Sequence, residues 1–561
     1  MRWNIKPLPD TQKTQALAEA LNVNQILAGL LVQRGIETFE QARSFFRPSL
    51  ADLHDPYLMK DMARAVSRIE RAIEKQENIL VFGDYDVDGT TAVSLVSSYL
   101  KTFYDNIASY IPDRYNEGYG ISYQGIDFAH DNGFTLIIAL DCGIKSIDHV
   151  RYAKERGIDF IICDHHLPGE VLPDAVAVLN PKRKDCNYPY DELCGCGVGF
   201  KLVQALGINR RQTVEDLKGY LDLVATAIAA DIVPITGENR ILAKFGLEVI
   251  NASPRAGIKA LALKAGKQTL DISDVVFVLA PRINAAGRIR HGDEAVRLLT
   301  EFDLDRALEV ANEIEAYNAH RKTLDKEITQ QALQQILDNA EEDRFTTVVY
   351  REDWHKGVIG IVASRLIENY YRPTLVFTKS GDKLAASARS VRDFDVYQAL
   401  EACAEHLEQF GGHAFAAGMT IRADRFDAFK TAFEEQVRRT IEPEKLIPEI
   451  TIDMALDFSG IDQKFVNILK QFEPFGPGNM NPVFAAKGLF DTGFGRTIGQ
   501  DGKHLKLFVK QGSRQFPAIG FGLADKLPLT ENRQPFEAAF CVEESEWNGN
   551  RYIQLRIKDI R

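Results

Sequence analysis

The sequence predicts an α/β protein with a parallel sheet, a second α/β region joined to it by a long helix, and a C-terminal β-barrel. Between residues 78 and 235, short apolar runs alternate with helical stretches, an order typical of βα units. Residues 301–340 contain no Gly or Pro and keep helical periodicity. From residue 450 onward, β-rich segments separated by Gly, Asn and Ser indicate a small barrel.

The predicted elements divide the chain into five regions. Residues 1–50 show amphipathic helical patterns, and the first α/β domain covers residues 51–300, with strands in NILVFG, TLIIAL, FIIC and AVAVLN. Residues 301–340 form one connecting helix, or two joined closely. The second α/β domain, residues 341–440, opens with the strand FTTVVY. The stretch IEPEKLIPE is a linker to the barrel of residues 450–561.

Composition is typical of a globular protein, since 45% of the 561 residues are hydrophobic and 26% are charged. No apolar run approaches the roughly 20 residues that a membrane helix needs, and the N-terminus MRWNIKPLPD lacks a signal-peptide pattern. We therefore expect a cytoplasmic protein with no membrane partner. The net charge of -12 argues against nucleic acid without excluding it, because phosphate affinity depends on local basic patches.

The seven cysteines, an odd number, fit reduced thiols. Cys194 and Cys196 form a CxC pair, but no second pair stands at zinc-finger spacing. Because structural zinc takes four ligands, a structural role is favoured for both cysteines.

Carboxylates and histidines follow the predicted strands and one helix end. Each group alone has a structural interpretation, since an Asp after a strand is often a helix cap. Together they would gather negative charges in one crevice, and such charges repel unless cations neutralise them. The candidate catalytic and metal-binding residues are Asp84, Asp86 and Asp88 of GDYDVDG, Asp141 of LDCG, His165 and His166 of DHH, and Asp231 of ADIVP.

This mixture of oxygen and nitrogen donors suits Mn²⁺, with Mg²⁺ as the competitor. The donors are numerous enough for two ions, and two ions about 4 Å apart can activate a water and stabilise a leaving oxygen. The predicted reaction is the hydrolysis of a phosphate ester.

The strings DYDVDG, DCG, DHH and ADIVP resemble the four motifs of the DHH phosphoesterase family. The resemblance implies metal-ligand roles for Asp86, Asp88, Asp141, His165 and Asp231, with Asp141 bridging two ions. It makes Asp84 a further ligand or a residue that orients water. It implies that His166 contacts the phosphate or supports the ligands.

Further motifs resemble the RecJ nucleases within that family, namely IPDRYNEGYG, PRINAAGR, WHKGVIGIVASRL, ASARS and GGHAFAAG. PRINAAGR could instead be a solvated basic loop, and the paired glycines of GGHAFAAG a plain turn. The segment FEPFGPGNMNPVF resembles the join into an OB-like barrel, a fold that binds single strands by basic grooves and aromatic stacking. The implied substrate-binding residues are Arg114, Arg282, Asn284, Arg288, His355, Arg389, Gly411, Gly412 and His413.

The resemblance implies a DHH catalytic domain, a DHH-associated substrate-binding domain and an OB-like domain. The implied activity is 5′→3′ degradation of single-stranded DNA in repair and recombination, with single-strand-binding protein and a recombination helicase as partners. A short-oligonucleotide or cyclic-dinucleotide phosphodiesterase is the nearest alternative, although such chains usually lack the OB-like domain. A catalytically inactive scaffold, such as the DHH-derived subunit of a eukaryotic replicative helicase, would have lost the acidic and histidine ligands, which are all present here.

Overall fold

A computed structural model describes residues 1–531, 534–547 and 549–561. The chain forms two compact units. The first unit contains residues 3–283, 295–311 and 450–561, and the second contains residues 1–2, 284–294 and 312–449.

The N-terminal part of the chain is helical because capping side chains satisfy the free backbone N–H groups at the helix starts. Asp10 accepts the N–H of Lys13, and Asn24 accepts that of Leu27. The elements are strand β1 (Arg2–Ile5) and helices α1 (Thr11–Leu21), α2 (Gln25–Val32) and α3 (Phe39–Phe46). Apolar residues of these helices share one hydrophobic core with the C-terminal barrel.

A five-stranded parallel sheet is the centre of the first α/β domain. Its strands are short and rich in Val, Ile and Leu, as expected where helices cover both faces. The strands are β2 (Asn78–Gly83), β3 (Ile107–Tyr110), β4 (Phe134–Leu140), β5 (Asp159–Cys163) and β6 (Ala177–Leu179), in the order β3-β2-β4-β5-β6. The helices are α4 (Met62–Glu74), α5 (Val87–Leu100), α6 (Tyr123–Asp131), α7 (Ile147–Glu155), α8 (Gly195–Asn209), α9 (Leu221–Ala230), α10 (Gly237–Ala252), α11 (Ala256–Lys264), α12 (Ile272–Asp274), α13 (Ala280–Ile289) and α14 (Asp293–Thr300).

The stretch without Gly or Pro is one continuous helix, α15 (Leu304–Asp338). In the second unit, five strands form a mixed sheet in the order β10-β11-β9-β8-β7, with only β7 and β8 parallel. Its elements are β7 (Thr347–Tyr350), α16 (Ile359–Asn369), β8 (Thr374–Ser380), β9 (Lys383–Arg389), α17 (Val396–Glu401), β10 (Gln409–His413), β11 (Ala416–Arg422) and α18 (Phe426–Thr440).

The C-terminal strands close into a barrel, because β14 pairs with both β18 and β16. Along β16, buried Leu505 and Leu507 alternate with exposed Lys506 and Phe508, the period of a strand with one face in the core. The elements are β12 (Glu449–Ile452), β13 (Met454–Ala455), α19 (Gln463–Lys470), β14 (Phe484–Asp491), β15 (Arg496–Ile498), β16 (His504–Gln511), β17 (Arg514–Gly520), β18 (Phe536–Trp547) and β19 (Asn550–Ile560). The predicted fold class is confirmed.

Candidate metal centre

The register of the parallel sheet brings three chain segments to one edge. Gly83 at the end of β2 pairs with Leu140 at the end of β4, and Leu140 pairs with Cys163 at the end of β5. Each strand therefore ends at the same level, where polar residues of open α/β sheets usually collect. The residues that follow these three ends are Asp84, Asp141 and Asp164.

The DYDVDG segment forms the turn from β2 into α5. Asp84 is fully buried, and the Gly120 N–H donates to its Oδ1 at 3.3 Å. Asp86 caps α5, because its Oδ1 accepts the Gly89 N–H at 3.0 Å. Asp88 is buried in the first turn of the helix. Asp86 thus performs the helix-cap role that its position also allowed, and its predicted role as a metal ligand stays a prediction.

The start of helix α8 holds two of the predicted ligands. The N–H groups of Gly195 and Cys196 donate to the two carboxylate oxygens of Asp88, both at 2.7 Å. A Cβ on Gly195 would lie 2.5 Å from the Cβ of Asp141, so only glycine fits there. Sequence reasoning missed this contact, although glycines on both sides of Cys196 at a helix start were a usable signal.

In the DHH motif, the carboxylate of Asp164 is occupied by hydrogen bonds from its own chain. Asp164 accepts at Oδ1 the N–H of His165 at 2.7 Å, the N–H of His166 at 3.1 Å and Nδ1 of His166 at 2.7 Å. Its Oδ2 accepts the Ile144 N–H at 2.9 Å. The hydroxyl of Tyr119, which the sequence analysis did not single out, is hydrogen-bonded to Nε2 of His166 at 3.1 Å. Asp164 therefore orients the ring of His166 and holds the backbone of both histidines.

Three carboxylates converge on one imidazole nitrogen. Nε2 of His165 lies 3.2 Å from Asp141 Oδ1, 3.6 Å from Asp231 Oδ2 and 3.8 Å from Asp88 Oδ2. Asp231 reaches this point from the end of helix α9. We call Asp88, Asp141, His165 and Asp231 the metal cluster. His166 also presents a ring nitrogen within 4.8 Å of donor atoms of Asp141 and His165.

Burial and mutual repulsion disfavour charge on the clustered carboxylates. Burial, followed by the charge of Asp86, raises the pKa of Asp84 to about 8 and that of Asp88 to about 7. Burial and the charge of Asp88 raise the pKa of Asp231 to about 8, and burial raises that of Asp141 well above its usual value.

Burial lowers the pKa of His165 to about 3, so its imidazole is neutral and has a lone pair to donate. Buried Oδ2 of Asp84, Oδ1 of Asp141 and both ring nitrogens of His165 make no hydrogen bond within the described part of the chain. Buried polar atoms are normally paired. A divalent cation would satisfy these oxygen and nitrogen donors together, so the residues present fit Mn²⁺ or Mg²⁺.

Two predicted DNA contacts lie in the first unit. The guanidinium of Arg114 stacks 3.7 Å from the ring centroid of Tyr85, and its charge acts on Asp84, which places it near that predicted ligand. Arg282 is buried on helix α13 and donates to the Val278 carbonyl at 2.8 Å. The alternative interpretation of this segment as a loop is wrong. A π-helical stretch (Val275–Leu279) precedes Pro281, which has no N–H for a regular helix.

The other predicted contacts lie in the second unit. Arg288 donates to the Gly357 carbonyl at 2.9 Å, while Asn284 has a buried Oδ1 with no partner among the described residues. Arg389, at the end of β9, donates to Ser387 Oγ at 3.0 Å.

His355 is half-buried, and its Nδ1 accepts the N–H of Gly357 at 3.2 Å. Gly411, Gly412 and His413 are exposed on strand β10, at the edge of the sheet. The turn interpretation of the two glycines is wrong, because Gly411 pairs with Gly418 of β11.

The CxC pair belongs to the helix start. Cys194 caps α8, since its Sγ accepts the Gly197 N–H at 3.3 Å. Neither Cys194 nor Cys196 joins a group of possible metal ligands in the described ranges. All seven cysteines are free thiols.

Among the residues that the structure describes, no helix has the length and apolar character that a bilayer crossing requires.

Three domain models match the chain. The model described as "DHH family, N-terminal domain" matches residues 78–228. The DHHA1 domain matches residues 342–439, and the RecJ OB domain matches residues 452–559. With the metal cluster, these domains define a metal-dependent nuclease of the DHH phosphoesterase class.

Individual relatives indicate which family within this class the chain resembles. The single-stranded-DNA-specific exonuclease RecJ of Bacillus subtilis (strain 168) is 38% identical over 567 residues, which cover 100% of this chain and 70% of that protein. The crystal structure of Thermus thermophilus RecJ in complex with Mn²⁺ has a TM-score of 0.86 and 29% identity, covering 100% of this chain and 79% of that one. The same protein with Mg²⁺ has a TM-score of 0.79 and 27% identity, covering 100% and 78%. The chain belongs to the RecJ family.

Proposed function

We propose that this protein is a single-stranded-DNA-specific exonuclease that removes nucleotides in the 5′→3′ direction. The observation that carries the proposal is the approach of three carboxylates to Nε2 of His165, at 3.2 to 3.8 Å. The name of the Bacillus relative supports the choice of single-stranded DNA as substrate. The polarity follows from the family resemblance.

The proposed metal ligands are Asp84, Asp86, Asp88, Asp141, His165 and Asp231. Two divalent ions held there would supply an activated water and neutralise charge on the departing oxygen. Protein hydrogen bonds hold one proposed ligand and one neighbouring histidine in place. Asp88 is held by two N–H groups, and Asp164 fixes His166, which we propose contacts the scissile phosphate.

Basic and polar residues would hold the strand. Arg114 lies near Asp84, and a guanidinium there can bind phosphate oxygens in a bidentate manner. The remaining proposed DNA contacts are Arg282, Asn284, Arg288, His355, Arg389, Gly411, Gly412 and His413.

The barrel separates this function from that of a short-oligonucleotide phosphodiesterase. A RecJ OB domain matches residues 452–559, and its β16 exposes Lys506, Phe508 and Lys510 on one face. Such a face can contact a strand longer than a dinucleotide through charge and stacking. We further propose that the protein acts in the cytoplasm, in repair and recombination, with single-strand-binding protein and a recombination helicase as partners.

Asp141→Ala tests the proposal. With Mn²⁺ and a long single strand, we expect the variant to lose hydrolysis while keeping its fold and its DNA binding, because the change removes a predicted ligand. Asp148→Ala, an exposed carboxylate of the same domain, is the matched control and should be fully active. Wild-type turnover in Asp141→Ala would contradict the metal assignment.

The polarity of cleavage and the preferred substrate length are tested with separate substrates. Strands labelled at the 5′ end should release labelled mononucleotide at once, whereas strands labelled at the 3′ end should shorten progressively. The opposite order would refute the polarity. A preference for a dinucleotide over the long strand would favour the phosphodiesterase alternative.

A further inference from the structure

Helix α9 ends in an unusual way next to the metal cluster. Asp231 is its C-terminal cap, and the next residue, Ile232, has a φ of +59°. The position after a helix cap commonly adopts this left-handed conformation and is usually glycine, because a Cβ is strained there. A β-branched residue at positive φ is a clear outlier.

Core packing does not compensate for this strain. The side chain of Ile232 is 64% exposed, whereas its neighbours Val233 and Ile235 are 8% and 1% exposed. The chain therefore keeps a bulky apolar side chain where the backbone favours glycine and the core gains little from it. Strain of this kind is retained mainly at functional sites.

The position of Ile232 identifies what it can contact. Its preceding residue, Asp231, lies 3.6 Å from Nε2 of His165. Two other exposed residues adjoin His166, whose ring nitrogen lies within 4.8 Å of donor atoms of Asp141 and His165. Leu167, directly after His166, is 62% exposed, and Tyr119, whose hydroxyl is hydrogen-bonded to His166, is 56% exposed. Exposed apolar side chains therefore border the polar centre.

We infer that Ile232 is a substrate-contacting residue that packs against the base or deoxyribose of the nucleotide carrying the scissile phosphate. The inference rests on the proposed function, which brings that phosphate to the metal cluster. Every base presents an apolar face, so this contact needs no particular sequence. It would hold the nucleotide while leaving the phosphate to the polar residues.

We expect Ile232→Gly to stabilise the protein and to weaken its binding of substrate. Glycine accepts the positive φ, so we expect the melting midpoint in EDTA to rise, by about 2 to 4 °C. The KM for a long single strand should rise about fivefold to tenfold, because apolar contact area is lost. Both kcat and Mn²⁺ affinity by calorimetry should stay unchanged. Ile232→Val, which keeps a β-branched side chain, should retain a KM near the wild-type value.

Ala340→Gly is the matched control, since Ala340 is exposed at a φ of +51° in the second unit. It should raise the melting midpoint without changing KM. A lower midpoint for Ile232→Gly, or an unchanged KM with active enzyme, would overturn the inference. Failure of the wild type itself to cut single strands with Mn²⁺ would instead overturn the proposed function.

Discussion

Asp84 should make the metal-free protein less stable as the pH rises. Its pKa is raised to about 8 in the folded state, first by burial and then by the charge of Asp86, from a usual value of 3.8. Between about pH 5 and pH 7 the folded protein therefore keeps a proton that the unfolded chain has lost. The free energy of unfolding should fall by about 1.4 kcal/mol per pH unit from this carboxyl alone. Asp84→Asn removes that contribution.

The assay is urea unfolding in EDTA at three pH values across this window, following the transition of the first unit. Over two pH units, we expect the free energy of unfolding of the wild type to fall by about 2.7 kcal/mol relative to that of Asp84→Asn. Asp185→Asn is the control. The guanidinium of Arg183 donates a hydrogen bond to Asp185 and lowers the pKa of that carboxyl, so it is ionised in both the folded and the unfolded state above about pH 5. Removing it should therefore leave the pH dependence of the unfolding free energy unchanged. Parallel curves for wild type and Asp84→Asn would refute the reasoning.

Three further predictions concern single residues. Gly195→Ala should weaken Mn²⁺ binding by calorimetry and cost about 1 to 3 kcal/mol in urea unfolding, because its Cβ would lie 2.5 Å from the Cβ of Asp141. Arg114→Ala should weaken binding of single strands and reduce the log–log salt slope by about 0.7, the value for one lost phosphate contact. Lys201→Met should cost about 3 to 5 kcal/mol in urea unfolding, because it leaves the buried carboxylate of Glu238 without its cation.

The first two of these predictions have a matched control variant, and the third has an outcome that would contradict it. Gly197→Ala, on the same helix as Gly195, places its Cβ at an ordinary 3.4 Å from Leu193, and similar metal affinities for the two variants would exclude the steric explanation. Arg151→Ala removes an exposed arginine paired with Asp148, and an equal loss of salt slope there would deny Arg114 a specific phosphate contact. If Lys201→Met unfolds like the wild type, the ion pair contributes nothing to stability.

The sequence predicted the parts of the site that local order determines. Apolar strands followed directly by aspartates predicted one polar sheet edge, and the register of Gly83, Leu140 and Cys163 explains why this inference succeeded. The fold class was predictable for the same reason, because the helix and strand periods are local. The pattern of short segments after residue 450 likewise indicated the barrel.

Other features depend on contacts between distant segments. The Gly195 N–H that holds Asp88 lies 107 residues away along the chain, and no local pattern connects the two. The glycines of GGHAFAAG indicate a turn by composition, yet Gly411 lies in a strand because β11 is available to pair with it. Local propensity was overridden by tertiary pairing there.

Asp141 and Asp164 show how buried carboxylates at neighbouring strand ends acquire different tasks. Burial acts to raise the pKa of both, but hydrogen bonds from His166 and Ile144 hold that of Asp164 below its usual value, whereas that of Asp141 remains well above it. The oxygens of Asp164 are engaged by protein donors, while Asp141 Oδ1 is unpaired among the described residues. A carboxylate satisfied by its own chain can orient neighbours but has little left for a cation. An unsatisfied one in the same crevice is stable as an anion only when a cation is bound, so metal binding and ionisation of Asp141 must be linked.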